Sequence, residues 1–558
     1  MILENYSLKF TVRNFFCRFK PNCVFVDVSR ISISDEKTGI QRVVRALSNN
    51  LSKYIPNHFK LEFIRLVCRN EIWQYEYAKE FSLEVFSNKR SEHKGGAVDF
   101  KKGDILISPD LFYQMIYAKK QGVYDSLRET GIKIYFLIYD LLPISMPGAF
   151  FGGTGDLHKE WFSTTLQISD GLICTSKSVA DEVFSKAENK KIFIRQDLNI
   201  GNFWLGSDIK SLENTNSISD IDKCIIDSPS TYSFLMVGTI EPRKGHWQVF
   251  SAFKELWDKG CNVNLIIVGK RDWSGSQDIE RYDMPSLMEQ FQSSKEFGRH
   301  LFVLDQVDDG GLDILYKKAT CLIAASEGEG FGLPIVEAAH HRLPVIARDI
   351  PVFREVAGSA AYYFENSLDP KVILKAVEDW IRLYDMNEHP KPENIKCISW
   401  NRSSQEFVDL IFNEKWLYKI RPDMKLFALK PNTSENHKSV SLLWESGWSH
   451  PEENFRWSDG EKAVIKFFID KETFKHNMSV KIVLNTLEEQ RVSIFLNRKK
   501  CFDAMISGEK IDVLIKRSSL VVGENRLKFF LPDAKLPGNG DGRKLAVAIR
   551  EFVLITDD

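Results

Sequence analysis

Residues 326–341 read SEGEGFGLPIVEAAHH. Three glycines and a proline surround two glutamates, Glu329 and Glu337, with seven residues between the two acids. The preceding run, ATCLIAAS (319–326), is apolar enough for a buried strand, so the glycines fall in the loop at its carboxyl end. In open α/β sheets that edge carries the ligand. Pro334 suits the first turn of a following helix, PIVEAAHH, whose amino end turns free N–H groups and a positive dipole towards the loop. Gly330 and Gly332 let backbone approach a ligand closely, so that their N–H groups can donate to sugar hydroxyls or phosphate oxygens. Glu329 in the loop and Glu337 one turn into the helix are placed to accept hydrogen bonds from two parts of a hydroxyl-rich ligand. The plainer alternative is a glycine-rich turn beside a capped helix.

Working outward, the rhythm of this stretch repeats on both sides. YSFLMVGTI (232–240), NVNLIIVG (262–269), HLFVLDQV (300–307) and LPVIARD (343–349) are further buried strands, separated by helical runs such as HWQVFSAFKELWDKG and LDILYKKA. Upstream, CVFVDVSRI (23–31), KLEFIRLV, GDILISPD, IKIYFLIYDLLP and GLICTS alternate with the helical patterns QRVVRALSNNL, QMIYAKKQGVYDSLRET and SKSVADEVFSKA. Near-continuous apolar strands alternating with helices predict parallel sheets covered on both faces. The polar run from Asn199 to Asp222 reads as a linker, and NRSSQEFVDLIFNEKWLYKI (401–420) as one long closing helix. From about residue 435 short Val-, Ile- and Phe-rich strands follow one another with turns such as PGNGDGR and no helices, which predicts a β-sandwich. The expected units are an extension at 1–20, a Rossmann-like unit at 21–205, a second at 225–420 with its closing helix, and a jelly-roll-like sandwich at 435–558.

The chain of 558 residues, 75 basic and 76 acidic, is too long for one core. Its balanced charge gives no sign of a nucleic-acid partner. No apolar run approaches the roughly 20 residues that span a bilayer. The first 20 residues lack the apolar core of a secretory signal but mix aromatics with Lys9, Arg13, Arg18 and Lys20. They read as an extension packed on the body or as a helix lying on an anionic membrane. Nine cysteines without a C-x-x-C pair predict reduced thiols and a cytoplasmic protein.

Three stretches together resemble a known family. Glu-x7-Glu in EGEGFGLPIVE, VGTIEPRKGH (237–246) and TGIQRVVR (38–45) are similar to motifs of retaining glycosyltransferases of the GT-B fold, family 4, including bacterial members that build surface polysaccharide. The resemblance spans about residues 22–415. It implies two Rossmann-like domains facing a cleft, and sugar transfer from a nucleotide-sugar donor with the anomeric configuration kept. The acceptor would be a glycan or lipid-linked glycan in lipopolysaccharide (O-antigen) or capsule synthesis, with mannose or rhamnose as the favoured sugar.

By the same resemblance Arg243 and Lys244 bind the donor diphosphate, Glu329 meets the transferred sugar, Glu337 the ribose, and the backbone N–H groups of Phe331, Gly332 and Leu333 lie along sugar or phosphates. Gly238 ends the strand before the two cations, and two cations there suit a diphosphate on physical grounds alone. Gly39 would bring backbone near the donor phosphate, with Gln41 and Arg42 as helpers; Gly269 and Lys270 are further contacts. In IYDLLP, Tyr139 stands where relatives often carry histidine, and Asp140 is retained as the group that orients the acceptor. No metal is expected, because cationic side chains can replace one. Implied partners besides donor and acceptor are the inner face of the cytoplasmic membrane and other polysaccharide-assembly enzymes. Trp448 and Trp457 are candidate sugar platforms, or core residues, of the tail. Rival readings are a GT-B epimerase or phosphorylase, and a glycan-binding scaffold with a silent transferase body.

Overall fold

In a computed structural model of the chain, the residues described run from 21 to 557, apart from 37, 86–95, 189–196, 209–231, 271–283, 306, 421–436, 439–441, 450–451, 453–454, 470–472 and 539–541. The N-terminal extension, most of the expected linker and the Arg271–Gly275 part of VGKRDWSG lie outside them.

The first lobe is an eight-stranded sheet. Its elements are β1 (Asn22–Asp27), α1 (Gly39–Asn50), β2 (Phe59–Arg69), β3 (Ile72–Tyr77), α2 (Lys79–Val85), β4 (Ile105–Ser108), α3 (Met115–Lys120), α4 (Val123–Thr130), β5 (Lys133–Ile138), α5 (Leu142–Ser145), α6 (Thr154–Ile168), β6 (Gly171–Cys174), α7 (Lys177–Glu188) and β7 (Leu198–Asn202). The strands β2-β1-β4-β5-β6-β7 are parallel, as their unbroken apolar runs predict. Two expectations are corrected here. Residues 198–202 form β7 instead of opening the linker. The expected helix over 114–130 is two helices, broken where Gly122 takes the left-handed conformation (φ 81°).

The second lobe contains β8 (Tyr232–Val237), α8 (His246–Asp258), β9 (Val263–Val268), α9 (Met284–Ser293), β10 (Leu301–Leu304), α10 (Asp309–Lys318), β11 (Cys321–Ala324), α11 (Leu333–His340), β12 (Val345–Arg348), α12 (Pro351–Ala357), β13 (Tyr362–Phe364) and α13 (Pro370–Asp385). Its six strands are all parallel in the order β10-β9-β8-β11-β12-β13. That order reverses direction between β8 and β11, so a crevice opens beyond the carboxyl ends of those two strands. The loops that leave them are EPRKG and EGEGFG.

The chain then returns to the first lobe. Helix α14 (Trp400–Phe412) ends at Asn413, and β14 (Tyr418–Ile420) pairs antiparallel with β7 at the edge of the first sheet. The predicted helix over 401–420 is therefore a helix followed by a strand. The tail assigned by sequence to the second unit completes the first.

The remainder forms two five-stranded antiparallel sheets built from β15 (His437–Lys438), β16 (Leu442–Ser446), β17 (Arg456–Trp457), β18 (Lys462–Ile469), β19 (Asn477–Thr486), β20 (Glu489–Leu496), β21 (Lys499–Ser507), β22 (Ile511–Lys516), β23 (Gly523–Phe530) and β24 (Val547–Asp557). Inner residues of both sheets, Ile465 and Phe529 from one and Ile482 and Ile549 from the other, share a single core. Two α/β lobes in contact across a cleft, followed by an all-β sandwich, is the GT-B architecture with the expected tail.

Trp448 is not a sugar platform. It is buried, crosses Trp444 edge-to-face at 4.7 Å, and donates its indole N–H to the Val464 carbonyl at 3.0 Å. Trp457 is half-buried against Phe455. Trp448→Ala is expected to destabilise the sandwich by about 3–5 kcal/mol, read as a shift of its thermal or denaturant transition. An unshifted transition would return Trp448 to the surface role.

Candidate functional site between the two lobes

The loop after β8 becomes a short 3-10 turn, Pro242–Lys244, before α8. This turn aims Arg243 and Lys244 at the loop after β11. The Glu327 N–H donates to the Arg243 carbonyl at 2.7 Å, and the Arg243 guanidinium donates to the Gly328 carbonyl at 2.9 Å. Glu329 then sits between the cations: Lys244 Nζ lies 2.5 Å from one oxygen, Arg243 3.3 Å from the other, and Ser326 Oγ donates at 2.7 Å. Burial alone would raise the Glu329 carboxyl. Lys244 and Arg243 outweigh it and hold the group at about 2. Burial also disfavours the Arg243 cation, but Glu241, Glu329 and Asp140 leave it firmly charged.

The first lobe faces this cluster with the end of β5. Burial raises the Asp140 carboxyl, against the pull of Arg243, and the Leu142 N–H donates to it at 3.0 Å. Gly330 is where the lobes touch most closely. A Cβ built on it would lie 2.0 Å from the Tyr139 carbonyl oxygen. Thr175 and Ser176 of the first lobe donate to the Gly330 carbonyl at 3.2 and 2.7 Å. The sequence gives Gly330 to a ligand; the structure gives it to the facing lobe. Gly332 takes φ 92° immediately before α11, a conformation that a side chain resists.

Two further contacts cross the cleft. Glu355 on α12 accepts the Lys177 and Ser178 N–H groups, both at 2.7 Å, and so caps α7 of the first lobe. Arg42 on α1 reaches Glu337 at 2.5 Å and Asp309 at 2.7 Å. The other Glu337 oxygen accepts from the Tyr316 hydroxyl at 2.8 Å, so both oxygens of this buried carboxylate are engaged. Leu333 at the start of α11 lies beside Gly39 at the start of α1, so two helix amino ends meet across the cleft.

Of the residues singled out by sequence, Arg243, Lys244 and Glu329 form one cluster, with Asp140 facing it. Gly238 (φ 143°) lies beside the Lys244 stem, and Gly39, Leu333 and Glu337 lie at the facing helix starts. Phe331 is buried edge-on against Trp204. Gln41 has a structural role of its own. It completes a capping box with Thr38 and donates to the Ser34 carbonyl at 2.7 Å. Gly269 abuts Gly238, and the Lys270 carbonyl accepts from the Ile240 N–H.

Sequence reading missed two histidines. His246, at the end of EPRKGH, lines a cavity of about 20 Å³ with Lys244 and Glu329; burial, then Lys244, lowers it to about 3. His158 on α6 contacts the Tyr113 hydroxyl at 2.9 Å and the Asp140 carbonyl at 3.3 Å, and burial lowers it to about 4. His246 adjoins a legible motif; His158 has no local signal.

Gly330→Ala is expected to hold the lobes apart, seen as a larger radius of gyration in small-angle scattering; an unchanged radius would refute the close contact. A second outcome concerns acid. Native His158 takes its proton later than the unfolded chain, so stability present above about pH 6.5 is lost as pH falls towards 4, on the order of 3 kcal/mol. His158→Gln should flatten the fall of melting temperature over that window.

Comparison with known proteins agrees with this geometry. Residues 227–396 match the family model described as Glycosyl transferases group 1. The serotype-specific mannosyltransferase WbdA of Escherichia coli is 36% identical over 386 residues, which is 68% of this chain and 45% of that protein. The O-antigen chain mannosyltransferase RfbU of Salmonella typhimurium is 34% identical over 152 residues, 27% of this chain and 39% of that one. The chain thus spans less than half the length of these curated relatives. A solved glycosyltransferase from Rickettsia africae is 14% identical, covers 71% of this chain and 99% of its own, and has a TM-score of 0.46. The lobe that carries Arg243, Lys244, Glu329 and Glu337 belongs to the glycosyl transferases group 1 family.

Proposed function

We propose that this chain is a retaining hexosyltransferase that moves a sugar, mannose before rhamnose, from a nucleotide-sugar donor to a glycan or lipid-linked glycan acceptor in O-antigen assembly. The observation that carries the reading is the part-buried Arg243–Lys244–Glu329 cluster at the switch point of the second sheet, with Asp140 facing it from the first lobe. Relatives named as mannosyltransferases at 36 and 34% identity favour the sugar and the pathway.

In the proposed reaction the bond from the anomeric carbon to the diphosphate oxygen breaks, and the diphosphate departs with the electron pair. Arg243 and Lys244 stabilise the charge it gains, which makes this electrostatic contribution the largest expected from the protein. Metal independence is part of the proposal, since these two cations stand where the charge develops. The acceptor hydroxyl attacks from the same face and passes its proton to the leaving diphosphate. Glu329 takes hydroxyls of the transferred sugar, and Asp140 orients the acceptor.

A space of about 20 Å³ beside Lys244 and Glu329 holds one water and no sugar. In this reading the lobes part to admit the donor. Glu337 can meet ribose hydroxyls only when Arg42 withdraws, so donor entry and the release of Arg42 are one event. Among the described residues no helix is long and apolar enough to cross a membrane. The proposed place of work is the cytoplasm, at the inner membrane face when the acceptor is lipid-linked.

Glu329→Gln and Lys244→Gln keep side-chain volume, and each is expected to cut transfer from GDP-mannose at least 100-fold with an unchanged circular dichroism spectrum. Proton NMR of the wild-type product should show the donor's anomeric configuration. Wild-type protein that releases no nucleotide from any donor would leave the scaffold reading. Full turnover in either variant would remove these residues from the chemistry.

A further inference from the structure

A second cavity, of about 470 Å³, lies on the second lobe at the opposite end of the sheet, where Pro344 leads into β12 and α13 ends. Its size falls within the range of small-molecule sites. Its charged lining is mainly cationic: Lys317, Arg342 and Lys391, with Glu393 as the acid among the lining residues.

Arg342 (φ 59°) and Asn387 (φ 58°) are the left-handed residues that end α11 and α13, each helix closed by N–H bonds back to its last turn, so two helix carboxyl ends form the rim. Among the described residues no carboxylate pairs with Arg342 or Lys391. Lys391 instead donates to Asn387 Oδ1 at 2.5 Å and lies 3.2 Å from His389 Nε2. Cations without a carboxylate partner around a concave space are what an anion site requires.

We propose that this cavity binds a phosphate group carried by a second ligand, distinct from the donor. Arg342 and Lys391 hold the phosphate, and the Tyr316 and Tyr384 rings wall the rest. The site communicates with the cleft through one residue. The Tyr316 ring stacks on His341 at 5.5 Å with planes 9° apart, while its hydroxyl holds Glu337 at 2.8 Å. Helix α10 carries every part of that link. Asp309 pairs with Arg42, Asp313 with Lys317, and Tyr316 with Glu337. A phosphate that draws Lys317 from Asp313 therefore shifts the helix that holds the cleft shut. Binding itself does not depend on the proposed transferase reaction.

The probes are inorganic phosphate, followed by calorimetry, and vesicles containing phosphatidic acid, followed by flotation. The two arms separate a free phosphorylated molecule from a lipid headgroup. The full-length Lys244→Gln protein should bind at least one probe as the wild type does, because its change lies at the donor cluster. Adding Arg342→Gly, which the left-handed backbone accepts, and Lys391→Gln should weaken that binding at least tenfold without lowering the melting temperature. Bound probe should also change the affinity for GDP several-fold in the wild type, and Tyr316→Phe should abolish the change. If neither probe binds, or the Arg342 and Lys391 substitutions leave binding intact, the proposal is overturned. If GDP affinity ignores the probe, the link to the cleft is overturned.

Discussion

The arrangement of the cleft depends on one buried carboxylate. Glu329 lies between Lys244 and Arg243, and burying it alone would be prohibitive. The cations cannot leave it, because they are fixed by a turn whose backbone is bonded to the Glu329 loop. That mutual requirement joins the loops after β8 and β11 into a single surface. The glycines of the second loop then bring this surface within contact of the Tyr139 carbonyl. Contacts of this kind contribute little net stability once desolvation is counted. Their value is placement: two positive groups and a carboxylate held in fixed positions beside a small cavity.

A cleft shut in part by polar contacts, beside apolar ones such as Phe331 on Trp204, can also be opened. The lobes meet through hydroxyls on a carbonyl, a carboxylate capping a helix, and the Arg42 pair. Each of these partners can exchange its contact for water at small net cost. A wholly apolar seam of the same extent would resist opening. The cross-lobe contact of Glu355 is informative, since it takes the Lys177 and Ser178 N–H groups that the helix's own cap, Ser176 on the Val179 N–H, leaves open. When the lobes part, α7 loses these two acceptors and Glu355 its donors together, which favours two discrete states over a continuum.

Much of this was legible from residue pattern. The buried strands announced themselves by apolar runs, and the Glu-x7-Glu and EPRKG stretches marked the two loops at the switch point. What failed has physical causes. Strand β3 (IWQYEY) is an edge strand with polar alternation, β13 is three residues long, and β14 follows a helix without a strong breaker. The two-helix break at Gly122 hides inside a helical pattern. Long-range pairings had no signal at all. Arg42 and Glu337 are 295 positions apart, and nothing local to TGIQRVVR tells that its arginine will meet the second glutamate. Gly330 was read as a close approach to a ligand, and the Tyr139 carbonyl of the facing lobe is what lies there, because a glycine reports that space is short and not what fills it.

Glu337 brings these strands together. Sequence spacing places it one turn into a helix whose amino end faces the ligand side, and the family resemblance gives it a ribose. The structure gives it Arg42 and Tyr316. The two assignments conflict only if the lobes are fixed. If the proposed transferase opens to admit a donor, the carboxylate assigned to the ribose is a sensible one for the facing lobe to hold in the meantime. Arg42 keeps it paired while it is buried, and in that proposal the donor's hydroxyls would replace the pairing with neutral hydrogen bonds. An arginine freed in this way stands at the start of α1, where an amino end already favours negative charge. The group that closes the empty cleft is therefore set to meet the donor's phosphates when the cleft closes again around it.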